Sequence, residues 1–165
     1  METGDTKNKI IEITKDLLSR VGFDGRVRFI ENGPVDGRFA TVSIESDGDL
    51  SMLIGKGGQN LCALEHLVRL IAARKMPDPE GNLNFIIDVN DYRRSRANYL
   101  VGVAREVAQR VIQTQRAEAL APMNSYERRL IHTELASFKE IRTESIGQEP
   151  RRRIIVKPQP EHLSE

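Results

Sequence analysis

A tetrapeptide of three glycines and one lysine, Gly55-Lys56-Gly57-Gly58, interrupts an otherwise apolar stretch. Asp49-Leu50-Ser51-Met52-Leu53-Ile54 precedes it, and a long amphipathic stretch from Gln59 to Lys75 follows. Glycine is a poor helix former, so this cluster breaks the pattern into a helix, a tight turn and a second helix. Because glycine lacks a Cβ, a phosphodiester can come close to the backbone there. Gly55 and Gly58 frame a turn whose amides, with the helix N-terminus from Gln59, can face an anion. Lys56 adds a mobile positive charge, and Leu53 and Ile54 offer an uncharged wall for stacked bases.

The turn sits in a recognisable order of elements. Ile10, Ile13, Leu17 and Val21 recur at helical spacing, which predicts a first helix from Lys7 to Arg20, ended by Gly22 and Gly25. Arg26 to Glu31 alternates as a half-buried strand, and Asn32 to Gly37 reads as a loop. Ala40, Val42 and Ile44 then alternate with polar residues as a second strand, antiparallel to the first. After the two helices, the run from Met76 to Asn82 is a break and Phe85 to Val89 a third strand. Three strands backed by three helices make a complete small α+β domain ending near Asn90.

A GxxG turn between two helices resembles the loop with which KH domains clamp about four nucleotides of single strand. The order strand–strand–helix–turn–helix–strand is similar to the type II, prokaryotic KH arrangement. Other glycine loops do not fit: GxxxxGK[ST] is absent, and GxGxxG after a strand is not satisfied. A nucleotide-hydrolysing site has no support.

The second half begins with Asp91, a candidate cap for a helix from Tyr92 to about Gln115 whose apolar stripe includes Ala97, Leu100, Ala104, Val107 and Val111. With no Gly/Ser linker between the halves, the second is expected to be rigidly attached. Arg94, Arg105 and Arg116 are eleven residues apart, about three turns, and are expected to form a basic ridge; a merely solvated helix face is the plain alternative. Asn124-x-x-Glu127 is a capping-box start for a helix to about Ser137. Ile141 to Ile146 and Arg152 to Val156 read as strands around Gly147-Gln148-Glu149-Pro150.

Charge is unevenly spread. Residues 1–50 carry −3, residues 51–90 carry 0, and residues 91–165 carry +4. A basic second half suits an anionic partner, although charge alone leaves a solvated surface open. Arg128 and His132 are four apart and share a helix face, next to Arg129. A guanidinium and an imidazole side by side make a phosphate-binding pair.

Together with Asn124-Ser125-Tyr126-Glu127-Arg128-Arg129 and Glu149-Pro150-Arg151-Arg152, this pair resembles the Arg-x-x-x-His ("R-three-H") domain, a single-stranded nucleic-acid-binding module. A KH domain followed by that module is similar to the bacterial Jag, or SpoIIIJ-associated, family. The resemblance spans about residues 7–158. It implies an α+β chain with a type II KH domain over 1–90 (a three-stranded sheet with helices on one face), an R-three-H domain over 91–158 and a polar tail over 159–165. It also implies a cytoplasmic, non-enzymatic RNA-binding protein linked to cell elongation and division, in some bacteria paired with a KH-only protein. Many members carry a further N-terminal domain that is absent here, so the chain is expected to be a short natural form or a fragment.

The nucleic-acid-binding residues expected are Gly55, Lys56, Gly57, Gly58, Arg128, His132, Arg129 and Arg94. The runner-up reading is a protein–protein adaptor or dimerisation module using the KH surface. No catalytic residue, metal ligand or cofactor is expected. Cys62 and His66 are four apart off the apolar stripe, but no third group orients them, and two ligands fall short of structural zinc. Single-stranded RNA is the expected partner, with single-stranded DNA as the alternative strand and a KH-only protein or a second copy as the protein partner. No apolar run approaches the ~20 residues of a membrane span, no leader is signalled at Met1-Glu2-Thr3-Gly4-Asp5, and the single cysteine fits a reducing compartment. With three tyrosines and no tryptophan, base contact is expected to lean on aliphatic side chains and arginine planes.

Overall fold

The computed structural model describes residues 3–31, 39–76 and 84–159; the expected loop at 32–37, most of the break at 77–82 and nearly all of the polar tail with His162 lie outside them. The chain divides into two compact units, Met1–Arg94 and Ser95–Glu165.

In the first unit, helix α1 (Thr3–Arg20) is followed by strands β1 (Arg26–Ile30) and β2 (Ala40–Glu45), a single helical turn α2 (Ser51–Ile54), a 3-10 turn (Lys56–Gly58), helix α3 (Gln59–Lys75) and strand β3 (Phe85–Val89). The sheet order is β1-β2-β3. β1 and β2 are antiparallel, with Val27 opposite Ile44 and Phe29 opposite Val42. β2 and β3 are parallel, with Val42 opposite Ile87 and Ile44 opposite Val89. A parallel pair needs a long crossover, and α2, the glycine turn and α3 supply it.

One core binds the layers. Ile10, Ile13 and Leu18 of α1 meet Leu61, Leu64, Val68 and Ala72 of α3 over Val42, Ile44, Phe85 and Ile87. The glycine turn is thereby pinned between elements whose apolar faces are committed to the sheet. This is the type II KH arrangement. The stretch before the turn differs from expectation in being one helical turn only, and it puts Leu53 into the core.

Helix α4 (Tyr92–Thr114) leads into the second unit, which continues with β4 (Glu118–Ala119), α5 (Ser125–Leu135), β5 (Ile141–Ile146) and β6 (Arg153–Pro158). The sheet order is β4-β6-β5, antiparallel throughout, and the two-residue β4 is an element the sequence pattern did not announce. Ala104, Val107, Ala108 and Val111 of α4 and Ile131 and Leu135 of α5 pack with Ile141, Ile154 and Val156.

Two expectations about α4 are corrected. The carboxylate that accepts the Arg93 amide, at 3.0 Å, is that of Asp88, not Asp91. Asp88 also accepts from the Val89 amide at 2.9 Å, while Asp91 pairs with Arg94 at 3.0 Å. Asn90 and Asp91 both have positive φ, a left-handed step that carries Asp88 under the helix start. The basic ridge does not run on to Arg116, because α4 ends at Thr114 and Gln115 has φ 54°.

Candidate nucleic-acid interface

The turn is built by backbone conformations that only glycine takes cheaply. Gly55 has φ 70° and ψ 179°, a region essentially reserved for glycine. Gly57 (φ 61°, ψ 23°) and Gly58 (φ 81°, ψ 15°) are left-handed. Two side chains lock the loop. Asn60 Nδ2 donates to the Met52 carbonyl at 2.7 Å, and a Cβ on Gly55 would stand 2.6 Å from Asn60 Cγ. A Cβ on Gly58 would stand 3.1 Å from Tyr92 Cε1, so the first residue of α4 packs beneath the turn.

Lys56 is exposed at the apex, with no ion pair or hydrogen bond among the described residues. The start of α3 has no side-chain cap; the Gly58 amide donates to the Gly55 carbonyl at 3.2 Å and the Gln59 amide to the Lys56 carbonyl, and the positive end of the helix dipole lies behind the turn. The expected apolar wall is relocated: Leu53 is buried and Ile54 half-buried, while Met52, 76% exposed, is the apolar side chain offered to solvent.

The second site is built differently. Asn124 accepts the Glu127 amide at 2.9 Å and its own amide donates to Glu127 at 3.1 Å, completing the expected capping box. This box sets the start of α5 and hence the positions of Arg128 and His132 one turn apart. Arg128 is buried; its Nη1 donates to the Met123 carbonyl at 2.7 Å and pairs with Glu149 on the β5–β6 loop at 2.8 Å. His132 is half-buried, its Nδ1 2.6 Å from the Thr143 hydroxyl on β5. Burial first, then the neighbouring Arg128 cation, pull its imidazole below the ordinary histidine range.

Arg129 is exposed and, among the described residues, has no ion pair or hydrogen bond. Arg94 is tied to Asp91, and Arg105 to Glu134 at 2.6 Å, so the expected ridge is largely internally compensated. Cys62 and His66 are both exposed on α3, and no cluster of three metal-ligating side chains occurs among the described residues. No described helix is long and apolar enough to cross a membrane. Asn60, Tyr92 and Thr143 escaped the sequence reading as parts of the two sites, and Glu149, though within the motif that carries the resemblance, was not read as the partner of Arg128. Only Asn60, five residues beyond Gly55, stood close enough in the chain to be found locally.

The R-three-H domain model matches residues 99–158, the unit that holds Arg128, His132 and their partners. The chain is 38% identical over 115 residues to the RNA-binding protein KhpB of Clostridium symbiosum, covering 70% of this chain and 50% of that protein. It is 36% identical over 119 residues to KhpB of Lactiplantibacillus plantarum (72% and 36% covered). It is 35% identical over 108 residues to KhpB of Bacillus subtilis (64% and 50% covered). The chain thus carries an R-three-H domain and is similar to the bacterial KhpB proteins. It spans half or less of the length of these curated relatives.

Proposed function

We propose that this chain is a non-enzymatic, single-stranded RNA-binding protein, acting in the bacterial cytoplasm as a post-transcriptional regulator linked to cell elongation and division. The KH unit, over about residues 1–90, grips backbone phosphates through the close approach that the Cβ-free backbone at Gly55, Gly57 and Gly58 allows and with the charge of Lys56. The R-three-H unit, over about residues 91–158, extends the footprint with Arg129, Arg94 and the Arg128–His132 pair. A KH-only protein or a second copy of the chain is the protein partner that fits this reading.

The observation that carries the reading is the turn itself. Three backbone conformations that only glycine takes cheaply are held in place by Asn60 and Tyr92, and the side chain at the apex is a lysine unpaired among the described residues. A fold that needed only a chain reversal has cheaper turns available, whereas an approaching phosphate needs this absence of Cβ atoms. The names of the curated relatives support the same chemistry.

Filter binding of the full chain to mixed single-stranded RNA across a salt series tests it. The parent should retain RNA with an affinity that falls with salt, by about 0.7 in log–log slope for each phosphate neutralised. Replacing Lys56 and Gly57 together by aspartate sets like charge against the phosphate and should abolish retention. Aspartate tolerates the left-handed conformation at 57 at a cost of about 1–2 kcal/mol, so the fold survives, as a thermal melt would register. Undiminished binding by that variant would show that the turn does not hold RNA.

A further inference from the structure

Tyr99 stands on α4 with its side chain 62% exposed, although tyrosine rings bury apolar area readily. One neighbour is a cation: the Arg96 guanidinium carbon lies 5.7 Å from the ring centroid. Arg96 is in turn fixed, its Nε 2.9 Å from Glu127 Oε1, and that carboxylate is buried and engaged in the capping box. The stack is therefore held from beneath rather than collapsed onto the surface. Arg96 ties α4 to the first turn of α5, where Tyr126 is 43% exposed and Arg129, three residues on, is unpaired among the described residues.

The third component is Gly102, one turn beyond Tyr99 in the interior of a 23-residue helix. Glycine is a poor residue there. A Cβ at this position would meet nothing within 4 Å, so no packing among the described residues calls for its absence. Arg96, Tyr99 and Gly102 follow one another at i, i+3 and i+6, giving a braced cation, an open ring and a stretch of bare helix backbone along one edge.

We propose that this edge is a nucleobase-stacking seat, in which a base of single-stranded RNA lies on the Tyr99 ring while the bare backbone at Gly102 admits the adjoining sugar. This rests on the RNA-binding reading given above and adds to it a site that contacts the base rather than the phosphate. A base is the occupant that fits: it presents a π-face to a ring already paired with a guanidinium, and its phosphates find the free charge of Arg129.

The seat has a signature that a purely structural role lacks. Stacking releases no counterion, so its loss shifts affinity without changing the salt slope. Binding of a uridine oligomer and of an abasic sugar-phosphate oligomer of equal length is measured on the full chain. Tyr99→Ala should weaken uridine-oligomer binding about tenfold at every salt concentration, leave the slope unchanged and erase the preference over the abasic chain. Tyr99→Phe should keep both. Gly102→Leu should also weaken binding while its melting temperature stays level or rises, because leucine is the better helix former.

If the parent and the Lys56→Ala variant differ in salt slope but Tyr99→Ala and Gly102→Leu bind as the parent does, the seat is overturned and the RNA-binding reading stands. If the parent binds neither oligomer at any salt, both fall.

Discussion

The two candidate grips solve the same problem with opposite materials. At the KH turn the backbone is the device: three glycines in rare conformations, locked by Asn60 and Tyr92, expose a lysine that no described residue engages. At the R-three-H site side chains are the device, and they are engaged within the fold: Arg128 with Met123 and Glu149, His132 with Thr143. The first should trade affinity with little stability at its apex. At the second, binding and stability are entangled, because the groups that could meet phosphate also tie α5 to the β5–β6 hairpin.

Arg128→Ala is the largest test of that contrast. It removes a buried side chain, leaves the Met123 carbonyl without its donor and unties the β5–β6 loop. Denaturant unfolding should register roughly 2–4 kcal/mol of lost stability. Glu149→Gln should cost under about 1 kcal/mol, since the Glu149 side chain is 58% exposed. If Arg128→Ala were as stable as the parent, Arg128 would be a free anion hook like Lys56 and the contrast would collapse.

Gly55→Ala probes the backbone side. Alanine must take φ 70° and ψ 179° and place its Cβ against Asn60. The strain is about 1–3 kcal/mol, to be read in thermal or chemical melts, and RNA affinity should fall with it. Adding Asn60→Ala removes the steric part but not the conformational part, so recovery should be incomplete. Full recovery would mean that the turn depends on packing rather than on glycine.

This difference in materials also decided what could be read in the sequence. α3 from Gln59 to Lys75 and β5 from Ile141 to Ile146 lie where the pattern put them because each turns one face inward, and β3 from Phe85 to Val89 does so as a short, almost wholly buried run. The glycine turn was legible because the demand for positive φ is local. Arg128 and His132 were legible as a pair on one helix face, but the burial of Arg128 was not. Its partner Glu149 is 21 residues away across a hairpin, and arginine is rarely buried without one. The cap on α4 was missed for the same reason. Asp88 sits in a strand, and only the left-handed pair Asn90-Asp91 folds its carboxylate back to the Arg93 amide. Two residues of β4 are too few to show any alternation.

The smallest effect expected, and the one that separates the sites most sharply, is pH dependence. The Gly55–Gly58 turn contains no histidine; the R-three-H site holds His132, whose protonation the fold opposes through burial and the Arg128 charge. The unfolded chain therefore takes up a proton more readily than the folded one. The contribution to stability is complete above the ordinary histidine value of about 6.5 and is lost as pH falls from there through the depressed folded value. The Thr143 hydroxyl both donates and accepts, so its hydrogen bond to Nδ1 survives protonation and does not reverse the sign. A phosphate beside His132 acts oppositely, because an adjacent anion favours imidazolium and makes binding take up a proton. Between pH 7.5 and 5.5 the parent should lose stability in urea melts while its RNA affinity rises. His132→Gln, which keeps an amide to meet Thr143, should flatten both trends. Stability that falls while affinity stays level would leave His132 as a strut for β5, with phosphate contact confined to the exposed cations.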